Sequence, residues 1–83
     1  MLPLLSVIVG ELIRLKGTVK DKDLFKHVKD ILSAYNGDVS LAQFNKAIMS
    51  LELRGIVRVE SVKKGVRMIY LVRDEVGEGG GKP

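Results

Sequence analysis

Apolar residues recur at helical spacing through the first two thirds of the chain, and in the last third the spacing shortens to two. Leu4, Leu5, Val7, Ile8, Leu12 and Leu15 fall on one side of a helical projection, which predicts a first helix over about Pro3–Lys16, ended by Gly17. Proline suits the opening turn because its missing N–H would have no partner there. Val9 and Ile13 stand outside the stripe, so the apolar arc covers about half the circumference, wide for a helix packed on one side.

Thr18-Val19-Lys20 is short and β-branched, which predicts a brief strand or an extended linker. Asp21 and Asp23 carry charge of the right sign for a helix start. The second helix, about 23–36, places Leu24, Phe25, Val28, Ile31, Leu32 and Tyr35 on one stripe and Lys22, Lys26, Lys29 and Ser33 opposite it. Asn36-Gly37 is a stop, since both residues tolerate the left-handed conformation. Ser40 with Gln43 three residues later has the capping-box spacing and opens a third helix, about 40–54, with Leu41, Phe44, Ala47, Ile48 and Leu51 on the core face. Gly55 ends it.

Beyond Gly55 the period becomes two. Val57 and Val59 alternate with Arg58 and Glu60, and Arg67 to Val72 alternates again, so two strands at about 56–62 and 67–72 form a hairpin turned at Lys63-Lys64-Gly65. Residues 74–83, rich in Gly and Glu, have nothing to bury and are expected to be disordered. The Gly77-Glu78-Gly79-Gly80-Gly81 run lacks the flanking strand and helix that a phosphate-binding loop requires.

Composition narrows the function classes. At 83 residues the chain allows one domain and no deep cleft between lobes. Its 46% hydrophobic but only 5% aromatic content calls for a core of Leu, Ile and Val, thin enough that dimerisation would help it. The absence of cysteine removes disulfides, thiolate metal sites and cysteine nucleophiles, and the single histidine, His27, removes His-rich metal sites. His27 is expected to be packed or solvated rather than catalytic. The apolar run at Met1–Val9 lacks a basic leader and falls well short of the roughly 20 residues that a bilayer requires, so the expected location is the cytoplasm. No paired carboxylates and no nucleophile with a neighbouring base stand out. A non-catalytic protein without cofactor or metal is expected.

The net charge of +4 is unevenly spread: residues 1–40, 41–73 and 74–83 carry +1, +5 and −2. A basic excess favours polyanionic partners. Here it coincides with the third helix and the hairpin.

The order of helix, short extended segment, helix, turn, helix and basic-tipped hairpin resembles the winged-helix (winged helix-turn-helix) superfamily over about Leu4–Val72. The most specific stretch, Leu51-Glu52-Leu53-Arg54-Gly55-Ile56-Val57-Arg58-Val59, resembles the junction where a recognition helix passes into the first wing strand. The likeness is to the small winged-helix DNA-binding proteins common in archaea. It implies an α+β fold with a three-helix core and a two-stranded β-hairpin wing, and a function in transcription regulation. It also implies a third helix in the DNA major groove and a hairpin on the backbone or minor groove. On that resemblance Gln43, Asn45, Lys46 and Ser50 would face bases or phosphates, while Lys63, Lys64 and Arg67 would neutralise phosphates.

Against this, Ala42, Lys46, Met49 and Leu53 share the face opposite Phe44, more apolar than a groove-reading face should be. Met49 and Leu53, with Val9 and Ile13 of the first helix, are candidate interface residues for a homodimer or for a protein partner in an adaptor that binds no DNA. Pairing through the first helix would present two recognition helices to neighbouring half-sites. Tyr70 points away from the core and is expected to pack across strands.

Overall fold

A computed structural model of the chain describes residues 3–72; the Gly- and Glu-rich segment 74–83 lies outside them. The elements are α1 (Leu4–Arg14), β1 (Thr18–Lys20), α2 (Asp21–Ala34), α3 (Leu41–Leu53), β2 (Val57–Lys63) and β3 (Val66–Leu71), an α+β arrangement of three helices and one sheet.

The helices end as the stop signals require, with one difference. Beyond α1 it is Lys16, at φ 69°, that takes the first left-handed position, and Gly17 follows at φ 87°. Lys16 N–H donates to the Ile13 carbonyl (3.0 Å) and Gly17 N–H to that of Leu12 (2.8 Å), so the last carbonyls of the helix are satisfied by the chain leaving it. The same closure recurs at Asn36-Gly37 on α2 and at Gly55-Ile56 on α3. At the start of α3 the capping box forms in full. Ser40 Oγ accepts from Gln43 N–H at 3.1 Å, and Gln43 Oε1 accepts from Ser40 N–H at 2.9 Å.

The sheet is antiparallel with order β1-β3-β2. Its central row is apolar, Val19 opposite Ile69 and Ile69 opposite Val59. Of the brief strand or linker expected at Thr18-Val19-Lys20 the strand forms, pairing with Tyr70, Ile69 and Met68, so the sheet has three strands and not the hairpin's two alone. The hairpin itself forms, closed by Lys64 and Gly65 between the paired Lys63 and Val66, with a bulge between Ser61 and Lys63. Gly65 sits at φ +77°, which a side chain would strain.

Ile8, Leu12, Leu24, Phe44, Leu51 and Ile69 are fully buried between the helices and one face of the sheet. Phe25 meets Phe44 edge-on, with ring centroids 5.3 Å apart, joining α2 to α3. Three side chains depart from the helical projection. Val9 is only 4% exposed, so it belongs to the core and not to an outward interface: α1 touches α2, α3 and β3 and therefore buries a wider arc than one neighbour could cover. Tyr35, the residue that caps α2, is 64% exposed because the chain has already left the helical track at φ −114°. Leu41, the first residue of α3, is 56% exposed, and the loop residue Val39 fills the core instead at 2%.

Candidate nucleic-acid interface

Two features of the fold bring the basic third of the chain together. The tight turn after β2 holds Lys63 and Lys64 at the hairpin tip, and the packing of α3 against β2 leaves the outer side of α3 next to the strand that leads there. Both lysines are exposed, and among the described residues neither has a carboxylate within ion-pair reach.

Arg67 is placed differently. Its Nε donates to Asp21 Oδ2 at 3.1 Å, and it sits at the sheet end near the start of α2 rather than at the tip. Part of its guanidinium is committed to holding β3 against α2. Arg58 is similarly engaged, with Nε 3.1 Å from Glu60 Oε2 and its guanidinium 5.2 Å from the Tyr70 ring centre across the strand pair. Tyr70 is thus half-buried under a cation on the outer sheet face.

On α3, Asn45 and Lys46 are exposed and Ser50 is half-buried. Gln43 is exposed, yet its carbonyl oxygen is held by Ser40 N–H, which leaves only its amide hydrogens for an external partner. A bidentate grip on adenine needs both groups. Asn45, Met49 and Glu52 from α3 line a cleft of about 190 Å³ together with Val59 and Arg67. The cleft brings two proposed contact residues, Asn45 and Arg67, to one place, but adds a carboxylate to it.

The candidate interface residues separate. Leu53 is 83% exposed, Met49 60% and Ile13 49%, whereas Val9 is buried. Met49 and Leu53, four apart, form an apolar ridge at the end of α3.

One polar cluster was not anticipated. Glu11 is 5% exposed, a buried carboxylate inside an apolar helix. Arg14 grips both of its oxygens, with Nε 3.0 Å from Oε1 and Nη2 on Oε2, and His27 Nδ1 of α2 lies 2.8 Å from Oε2. The Arg14 hydrogen bonds hold the Glu11 carboxyl below its ordinary pKa against the opposing effect of burial, with His27 adding to the lowering. The acidic residue at an apolar position was the only signal in the sequence. With both Glu11 oxygens paired, the cluster ties α1 to α2.

A second, open groove of about 530 Å³ lies where Pro3 and Leu4 face Leu32, Tyr35 and Val39. The carboxylate at its rim, Asp38, is taken by Lys29 at 2.8 Å, which, with the Val39 N–H, lowers its pKa. Among the described residues no group of His, Cys, Asp and Glu could hold a metal ion, and no helix is long and apolar enough to cross a membrane.

The chain matches no protein-family model, no curated protein and no solved structure.

Proposed function

We propose that this chain is a winged-helix domain that binds duplex DNA without catalysing a reaction, in the manner of a transcriptional regulator. The wing would carry affinity and the outer side of α3 any specificity. The observation that carries this reading is the pair of exposed lysines, Lys63 and Lys64, without a carboxylate partner among the described residues, at the tip of a hairpin that follows directly on α3. Such a tip can displace counterions from phosphates. The sheet order β1-β3-β2 supports the reading too, because β1 pairs with β3 and braces the β2-β3 hairpin from that side. Of the proposed α3 contacts, Asn45 and Lys46 are exposed, while Gln43 is occupied in its cap.

A labelled random-sequence duplex titrated with the protein at several salt concentrations tests this by fluorescence anisotropy. Each phosphate neutralised contributes about −0.9 to the log–log salt slope, so replacing both lysines with Glu should flatten the slope by roughly 1.8. An unchanged affinity and slope would remove the wing from the interface.

The exposed Met49 and Leu53 ridge favours one other reading, a winged-helix adaptor that holds a protein partner through α3. In that case no salt-dependent DNA binding would be found even at low salt.

A further inference from the structure

The two margins of the sheet are unequal. β1 offers three residues, while β2 offers seven, Val57–Lys63, with no strand beyond it among the described residues. The alternation of the antiparallel ladder fixes which of its backbone groups are spare. Val72 N–H donates to the Ile56 carbonyl, so the hydrogen-bonded pairs between β2 and β3 run on through Arg58 with Tyr70 and Glu60 with Met68. The N–H and C=O groups of Val57, Val59 and Ser61 therefore point outward, and no other described residue hydrogen-bonds them.

Protein sheets usually guard such an edge with charged side chains, proline, an inward-facing charge or a bulge. The far end is guarded by the bulge between Ser61 and Lys63 and by the lysines after it, whereas the two charges nearer the middle, Arg58 and Glu60, are of opposite sign and do not repel a copy laid in the reverse direction. From Val57 to Ser61 the edge carries no proline and no inward charge, and Val59 is half-buried beside Met49, which is 60% exposed.

The side chains of this stretch are self-complementary. Arg58 and Glu60 flank Val59 on the outer sheet face. If a second copy lies antiparallel with its Val59 opposite this one, a two-fold axis passes between the two valines, and Val57 stands opposite Ser61 on either side. Every outward N–H then meets an outward C=O, which makes about six new hydrogen bonds. In the same register Arg58 of each copy stands opposite Glu60 of the other, in the non-hydrogen-bonded pairing where side chains approach closest. A shift by one residue would place outward groups against inward ones and break the ladder.

We propose that the chain forms a homodimer through its β2 edges, with the axis at Val59 and the two sheets joined into one of six strands. The occupant is a second copy because the charge order along the edge matches its own reverse. The dimer does not depend on DNA binding.

Sedimentation equilibrium without DNA tests it, with circular dichroism to confirm that each variant is folded. The wild-type chain should associate reversibly. Arg58→Glu gives an acidic edge and Glu60→Arg a basic one; each alone should dimerise about tenfold more weakly or worse, because two attractive cross-strand pairs become repulsive. An equimolar mixture of the two variants should associate as well as wild type, a rescue that an intrachain Arg58–Glu60 pair cannot produce. Amide exchange gives a second readout, with the Val59 and Ser61 N–H groups slowing as protein concentration rises. A wild-type chain that stays monomeric, association unaffected by either substitution, a mixture that does not associate, or Val59 exchange independent of concentration would each overturn the proposal.

Discussion

Replacing Glu11 with Gln keeps the shape of the side chain and removes its charge. In the folded chain that carboxylate accepts from Arg14 Nε, Arg14 Nη2 and His27 Nδ1 while its residue is 5% exposed. Hydrogen bonds to a charged group are each worth roughly 1.5–3 kcal/mol. Both donors reach water, with side chains 63% and 38% exposed, so they recover hydration when the charge goes, and the net loss should be near the lower end, about 2 kcal/mol. For a domain of this size that lowers Tm by roughly 8–16 °C. The pH dependence is the sharper signature. Glu11 has a lower pKa folded than unfolded, so its contribution is fully present above the ordinary carboxylate range, near 4.5. It is lost as pH falls from there through the folded value. The difference between wild type and E11Q, measured by urea unfolding from neutral to acid pH, should shrink towards zero in that window. A difference that stays constant into acid would refute the charged network as its source.

Other substitutions test the same structure. Ser40→Ala removes the acceptor for Gln43 N–H and dismantles the capping box, which should cost about 1 kcal/mol in thermal or denaturant unfolding. Leu53→Asp lies on a side chain 83% exposed and should change stability by less than about 1 kcal/mol. If α3 docks a protein partner, the same change should abolish that association in a pull-down with the identified partner.

The helices and the hairpin were legible because their signals are local: Ser40 and Gln43 are three residues apart, and the change from helical to alternating period falls at Gly55. What escaped depends on distant chain segments meeting. The sequence leaves Thr18-Val19-Lys20 open between strand and linker, because the choice rests on β3 arriving beside it, with Val19 opposite Ile69. Val9 is buried because α1 is covered by two helices and a strand, and a single-helix projection cannot count neighbours. The pairing of Glu11 escaped because the Nδ1 of His27 that meets it comes from another helix, sixteen residues along. Among the candidate contact residues, exposure of Lys46, Lys63 and Lys64 followed from their place in the pattern. The commitment of Arg67 to Asp21 did not, because it joins β3 to α2 across 46 residues.

The edge pairing and the wing bear on one another. A two-fold axis at Val59 is normal to the sheet, so both α3 helices lie on the same side of the joined sheet and the two wings point in opposite directions. Lys64 is five residues along an extended strand from Val59, and at about 3.3 Å per residue the two Lys64 residues of a dimer stand up to about 33 Å apart. One turn of duplex DNA is about 34–36 Å. Both tips could then meet one duplex, and the dimer would present about four wing lysines where a monomer presents about two. The wing contribution to the log–log salt slope is accordingly about −3.6 for the wild-type dimer and about −1.8 for the Arg58→Glu chain held as a monomer. Anisotropy titrations over a salt series measure both, with Arg58→Glu mixed with Glu60→Arg as the control that restores the steeper slope. Equal slopes for the wild-type dimer and the monomeric variant would mean that the two tips do not bind one duplex together, leaving the edge dimer and the wing as separate properties of the chain.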